Sequence, residues 1–122
     1  MAAVAKMNEL GVAIDLSHAN AQTTKEVIAR SKQPVLVTHA GCAAVYEHPR
    51  NKKDEELRAV AGKGGVVGIY DLPYLTPSPR QPALEDYIAH MSHALTVCGE
   101  DHVGIGSDTT APPFDTSPDN LA

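Results

Sequence analysis

The segment Gly11–Val12–Ala13–Ile14–Asp15–Leu16–Ser17–His18 decides how the rest of the chain is read. Its glycine sits where a helix stops, at the C′ position that favours a left-handed residue. A short apolar strand, Val12–Leu16, follows at once, and a histidine stands two residues beyond its end. The pattern returns downstream. Pro34 opens a second strand, Val35–Thr38, directly followed by His39. Val66–Tyr70 reads as a third, closed by Tyr70 and Asp71, and Val103–Gly106 as a fourth, with Asp108 two residues past its end.

Helices fall between these strands. Asn20 is placed to cap one running through Thr24, Val27, Ile28 and Ala29 to about Ser31. Asn51 to Asp54 starts another, with Leu57, Val60 and Ala61 on one face and Gly64–Gly65 ending it. Ala83–Cys98 is the longest, with Tyr87, Ile88, Met91 and Leu95 at helical spacing, while His90 and His93 are expected on its solvated side. Pro73, Pro77, Pro79 and Pro82 mark an ordered loop instead of a linker, because the strand–helix order resumes after them. Four nearly continuous apolar strands alternating with helices imply a parallel sheet covered by helices. Such a sheet is either doubly wound or part of a (β/α)8 barrel.

The chemistry is what separates the two. His18, His39 and Asp108 all stand at the C-terminal ends of strands. Barrel enzymes gather their catalytic groups on that rim, from several strands at once. Imidazole nitrogen suits zinc and similar divalent ions, and catalytic sites leave one coordination position open. An adjacent carboxylate such as Asp108 can exchange a proton with water or a leaving amine. Taken singly, each residue has a plainer reading: a strand-end histidine can be a hydrogen-bonded core residue, and Asp108 a helix cap. Their joint placement favours the metal. Asp15, inside a strand expected to be buried, needs a partner whatever its role.

Composition removes other classes. With 10 Lys and Arg against 15 acidic residues the formal charge is −5, so nucleic acid is an unsuitable partner. Runs such as Val35–Val37 and Val66–Tyr70 are too short to cross a bilayer. Met1 to Leu10 reads as the end of an amphipathic helix with no signal-peptide core, which favours a cytoplasmic location. Cys42 and Cys98 form no CxxC pair and fit a reducing compartment. Gly62–Lys63–Gly64–Gly65 ends a helix instead of opening one and is no phosphate loop. His102 belongs to the start of the last strand, away from the chemistry, and residues 109–122, Phe114 to Ala122 above all, read as a loose tail.

Five ordered segments now carry a resemblance. Gly11 to His18 resembles the LGxxxDxSH segment of the renal, or membrane, dipeptidase family. Pro34–Val–Leu–Val–Thr–His39 is similar to its P-x-x-x-(S/T)-H segment, and His48–Pro49–Arg50–Asn51 to its HPRN. Gly64–Gly65–Val66–Val67–Gly68 and Asp101–His102–Val103–Gly104–Ile105–Gly106–Ser107–Asp108 match two more, so the likeness runs from about Leu10 to Asp108. It implies the C-terminal half of a (β/α)8 TIM-type barrel of the amidohydrolase-like kind. It also implies a binuclear centre, usually zinc, that hydrolyses dipeptides and tolerates a D-residue on the C-terminal side. By the same resemblance His18 and His39 ligate one metal, Arg50 binds the substrate's terminal carboxylate, and Asp108 is the catalytic acid/base. A guanidinium fork does suit a carboxylate.

Two departures stand out. Thr109–Thr110–Ala111–Pro112–Pro113 replaces the aromatic or acidic continuation usual after Ser107–Asp108, and the family's first-strand His-x-Asp pair and bridging Glu have no counterpart. The chain is therefore expected to supply part of a metallo-dipeptidase site and to be inactive alone. It should form a homo-oligomer or associate with the missing half-barrel. The competing reading is a non-catalytic remnant that binds a metal or a partner.

Overall fold

The computed structural model describes residues 2–109. Its elements are α1 (Ala2–Leu10), β1 (Ile14–Asp15), α2 (Ala21–Arg30), β2 (Val35–Ala40), α3 (Asp54–Gly62), β3 (Val66–Ile69), α4 (Leu84–Cys98) and β4 (Val103–Ile105), with single 3-10 turns at Pro73–Leu75 and Glu100–His102. The four strands form one parallel sheet in the order β1-β2-β3-β4. Sequential order with a helix at each crossover is the arrangement of neighbouring units in a (β/α)8 barrel, whereas a doubly wound sheet reverses its strand order.

Local chemistry sets the boundaries. Gly11 adopts a φ of +67° just past α1, and the Asn20 side chain caps α2 by accepting from the Thr23 N–H. Glu56 and Asp86 each reach back to the backbone N–H before their helix, at Lys53 and Ala83. Three acidic residues in the first turn of α3 also complement the helix dipole. Val35, Val37, Val67 and Ile69 are fully buried against Val27, Leu57, Val60 and Ala94 of the covering helices. The alternate residues Leu36 and Val66, paired in register, are less enclosed, as the two-residue period of a strand requires.

Three expectations change. The first strand is shorter than Val12–Leu16, because only Ile14 and Asp15 pair with β2. The second is longer and takes in His39, where the β2–β3 register shifts between Val37 and Ala40. Such an irregularity bends a strand and re-aims its side chains. Here it drives the Thr38 carbonyl towards Gly68 and Gly106, where any Cβ would sit inside that oxygen's van der Waals shell. The third change is in α4: Ile88 and Leu95 are exposed, while His90 and Ala94 are the buried residues. His90 is not on a solvated face; its ring accepts from the Cys42 N–H at 2.9 Å and donates to the Leu75 carbonyl at 2.9 Å. A helix covering a sheet and the loop below it can bury a histidine when both ring nitrogens find partners. His93 likewise meets Asp54 at 2.7 Å, joining α4 to α3. All but Thr109 of the expected loose tail lies outside the described residues.

Candidate metal and substrate site

The register shift in β2 and the turn after β1 bring two imidazoles together. His18 Nε2 and His39 Nε2 stand 3.0 Å apart, their rings at 64°. Asp108 Oδ2 lies 3.8 Å from His39 Nε2. Asp108 holds a φ of +55°, a left-handed conformation rare for a residue with a side chain and common at functional sites. Arg50 joins from the loop between β2 and α3: its Nη1 donates to the Ser17 carbonyl at 3.3 Å and contacts His18 Nδ1 at 2.8 Å. All four residues picked out by sequence therefore meet on one rim.

Donor and acceptor chemistry fixes the directions of these bonds. A guanidinium only donates, so His18 accepts at Nδ1 and carries its own N–H on Nε2, pointing at His39. His39 Nε2 is then an acceptor. Its Nδ1 lies 2.9 Å from Thr38 Oγ1.

Beneath the rings is a network that the sequence announced only through Asp15. Asp15 Oδ1 accepts from the Ser17 N–H, the Ser17 hydroxyl and the Thr38 N–H, and Oδ2 accepts from the Thr38 hydroxyl at 2.8 Å. The Ser17 hydroxyl accepts in turn from the His39 N–H. Asp15 is exposed, not buried as expected, because it projects from the open side of the sheet, yet it has the partners it needed. Partial burial pushes its pKa up, but the Ser17 and Thr38 hydrogen bonds outweigh that and hold it below the usual carboxylate value.

The loop bearing Arg50 is fastened on both sides. Buried Lys52 donates to the Ala19 carbonyl at 2.5 Å and faces Glu56 at 3.7 Å, tying this loop to the one after β1. Buried Asn51 donates to the Tyr46 and Tyr74 carbonyls and accepts from the Tyr70 hydroxyl. Neither role was read from the sequence, although Asn51 stands in the quoted His48–Asn51 motif and Tyr70 at a strand end. A cavity of about 350 Å³ lined by Ala19, His48, Asn51 and Lys52 lies behind this loop and does not include the two imidazoles.

The donor set suits a divalent ion. Two nitrogens each about 2.0–2.1 Å from a tetrahedral zinc stand roughly 3.3 Å apart, close to the separation seen here. Among the described residues no three His, Cys, Asp or Glu side chains form a metal-holding group.

Fold and rim together define the class: a section of a (β/α)8 barrel with ligand-type side chains on its C-terminal face. The membrane dipeptidase family, Peptidase family M19, matches residues 1–118, and the chain belongs to it. Dipeptidase verJ of Clonostachys rogersoniana is 43% identical over 105 residues, which are 86% of this chain and 27% of that protein. An amidohydrolase from Pseudomonas aeruginosa superposes with a TM-score of 0.82 at 40% identity, over 92% of this chain and 34% of the other. A metallo peptidase from Rhodobacter sphaeroides, liganded with a phosphinate mimic of the dipeptide L-Ala-D-Ala, gives a TM-score of 0.82 at 33% identity, over 88% of this chain and 32% of the other. The chain thus spans about a quarter to a third of the length of these relatives. Among its described residues no helix is long and apolar enough to cross a membrane.

Proposed function

We propose that this chain supplies one side of a metal-dependent dipeptidase site: two zinc ligands, the carboxylate anchor and the acid/base. The observation that carries the reading is the 3.0 Å approach of His18 Nε2 to His39 Nε2, beside Asp108 on the C-terminal rim of a barrel sheet. His18 and His39 would hold one zinc ion, with the remaining ligands contributed from outside this chain. When bound, such an ion is a Lewis acid that makes water nucleophilic near neutral pH.

The chain's own residues account for the rest. Asp108, 3.8 Å from His39 Nε2, takes a proton from the attacking water and returns it to the departing amine nitrogen. Arg50 receives the C-terminal carboxylate of the dipeptide. An imidazole that gives up its Nε2 lone pair must carry its proton on Nδ1, so Arg50 has to leave His18 when the pair is loaded. Its fork is then free for the substrate. The relative bound to an L-Ala-D-Ala mimic supports a dipeptide substrate class that includes a D-residue at the C-terminal position.

The test is hydrolysis of a simple dipeptide, by this chain with zinc and by a complete barrel carrying these residues. The complete barrel should turn over the peptide, lose activity to a chelator and regain it with zinc, while the chain alone should show none. Chelator-insensitive turnover by the complete barrel would sink the assignment.

A further inference from the structure

Resting on the metal reading above, we infer that Asp15 and Thr38 are positioning residues that preset His39 for metal binding by fixing which ring nitrogen carries its proton.

The hydrogens available to this network are few enough to count. The Asp15 carboxylate is an acceptor only. Its Oδ2 faces the Thr38 hydroxyl at 2.8 Å, and its Oδ1 faces the Ser17 hydroxyl at 2.6 Å. Each hydroxyl has one hydrogen, and the carboxylate takes both. The 3.2 Å approach of the two hydroxyl oxygens to one another is therefore left without a donor. Thr38 Oγ1, its hydrogen spent, can only accept from His39 Nδ1 at 2.9 Å. His39 must then hold its proton on Nδ1, and its Nε2 lone pair faces His18 Nε2, where the ion would sit. A hydroxyl relay from a carboxylate to a ligand histidine keeps the ring oriented and its coordinating nitrogen basic. The His18 Nε2–H that points at His39 Nε2 agrees with this assignment from the other side of the ring, and Thr38 is the partner that sets it at Nδ1.

A purely structural role for Asp15, pinning β1 to β2, makes a different forecast. Asp15→Asn separates the two. Oδ1 already accepts three hydrogen bonds, two of them from backbone N–H groups, so the amide oxygen should stay there. The amide NH2 then replaces Oδ2 and donates to Thr38 Oγ1. The Thr38 hydrogen is displaced towards His39 Nδ1, and the His39 proton moves to Nε2, where it breaks the hydrogen bond from His18 Nε2–H and turns the two rings apart. The β1–β2 backbone links survive, but the ring now presents the wrong nitrogen.

The experiment is long-range 1H–15N NMR of the histidine rings in the 122-residue chain, with zinc titration alongside. Wild type should show His39 protonated on Nδ1, and Asp15→Asn should show it on Nε2. Thr38→Val, which removes the relay without touching the Asp15 backbone contacts, should give a mixture, and Thr38→Ser should restore the wild-type state. Zinc affinity should fall about 10- to 100-fold in Asp15→Asn and Thr38→Val and stay within a few-fold of wild type in Thr38→Ser. His39 on Nε2 in wild type, or a tautomer and affinity that neither substitution changes, would overturn the inference. Absence of zinc binding by wild type counts against the metal reading instead, because the tautomer is read without metal.

Discussion

Arg50 meets two demands with one guanidinium. In the structure it donates to His18 and to the Ser17 carbonyl, and in the proposed reaction it holds the terminal carboxylate. A lost hydrogen bond to a charged group costs about 1.5–3 kcal/mol, so in a complete barrel Arg50→Ala should lower kcat/KM for a dipeptide roughly 10- to 150-fold. The C-terminally amidated analogue should lose much less. Comparing the two substrates checks this, and equal losses would mean Arg50 only steadies its loop. At this scale the sequence made legible which residues would stand together. His18, His39 and Asp108 stood out because they end strands, and Arg50 because of the motif around it. What surrounds those four residues was harder to read. A serine and a threonine carry no mark that they bind one carboxylate, and Lys52 resembles any surface lysine until its burial under Ala19 is seen.

Among the elements, α4 was the one whose inner face the sequence reading placed only in part. Of the periodic residues Tyr87 and Met91 do pack against the core, yet Ile88 and Leu95 are exposed and His90 is buried. Periodicity cannot register that the Cys42 N–H and the Leu75 carbonyl wait for an imidazole. Burial holds the His90 pKa below its ordinary value, against the upward pull of the Leu75 carbonyl. The sign follows. A base whose folded pKa is depressed contributes stability that is present above its unfolded pKa, about 6.5, and lost as pH falls through the folded value. Denaturant midpoints of wild type should therefore drop on acidification below about pH 6.5. His90→Gln should be less stable at pH 7.5 but show a flatter acid limb, and parallel limbs for both proteins would refute this. The shift within β2 was also invisible beforehand. Gly68 and Gly106 stood in the quoted segments, but that both make room for one carbonyl appears only when three strands are aligned.

Over the molecule as a whole, strand order and the rim on which the candidate residues meet were legible because each βα unit is a local repeat, and repeated units dock in sequence. The open side of the sheet is the complement of that order. β1 and β4 are its two edges, and Leu84, Ile88 and Ile105 are exposed beside β4, a surface that a neighbouring unit would cover. Unpaired edges and uncovered apolar faces promote association. Sedimentation at low micromolar concentration should show the isolated chain as dimers or larger species, and a rigid, monodisperse monomer would mean that the sheet closes on itself. The proposed chemistry stands or falls with two imidazoles on this rim holding one ion. The check is calorimetric titration of zinc into the chain, run beside His39→Ala. Wild type should bind one ion weakly, because two nitrogens make an incomplete ligand set, and the variant should lose that binding; identical isotherms for the two proteins would contradict it.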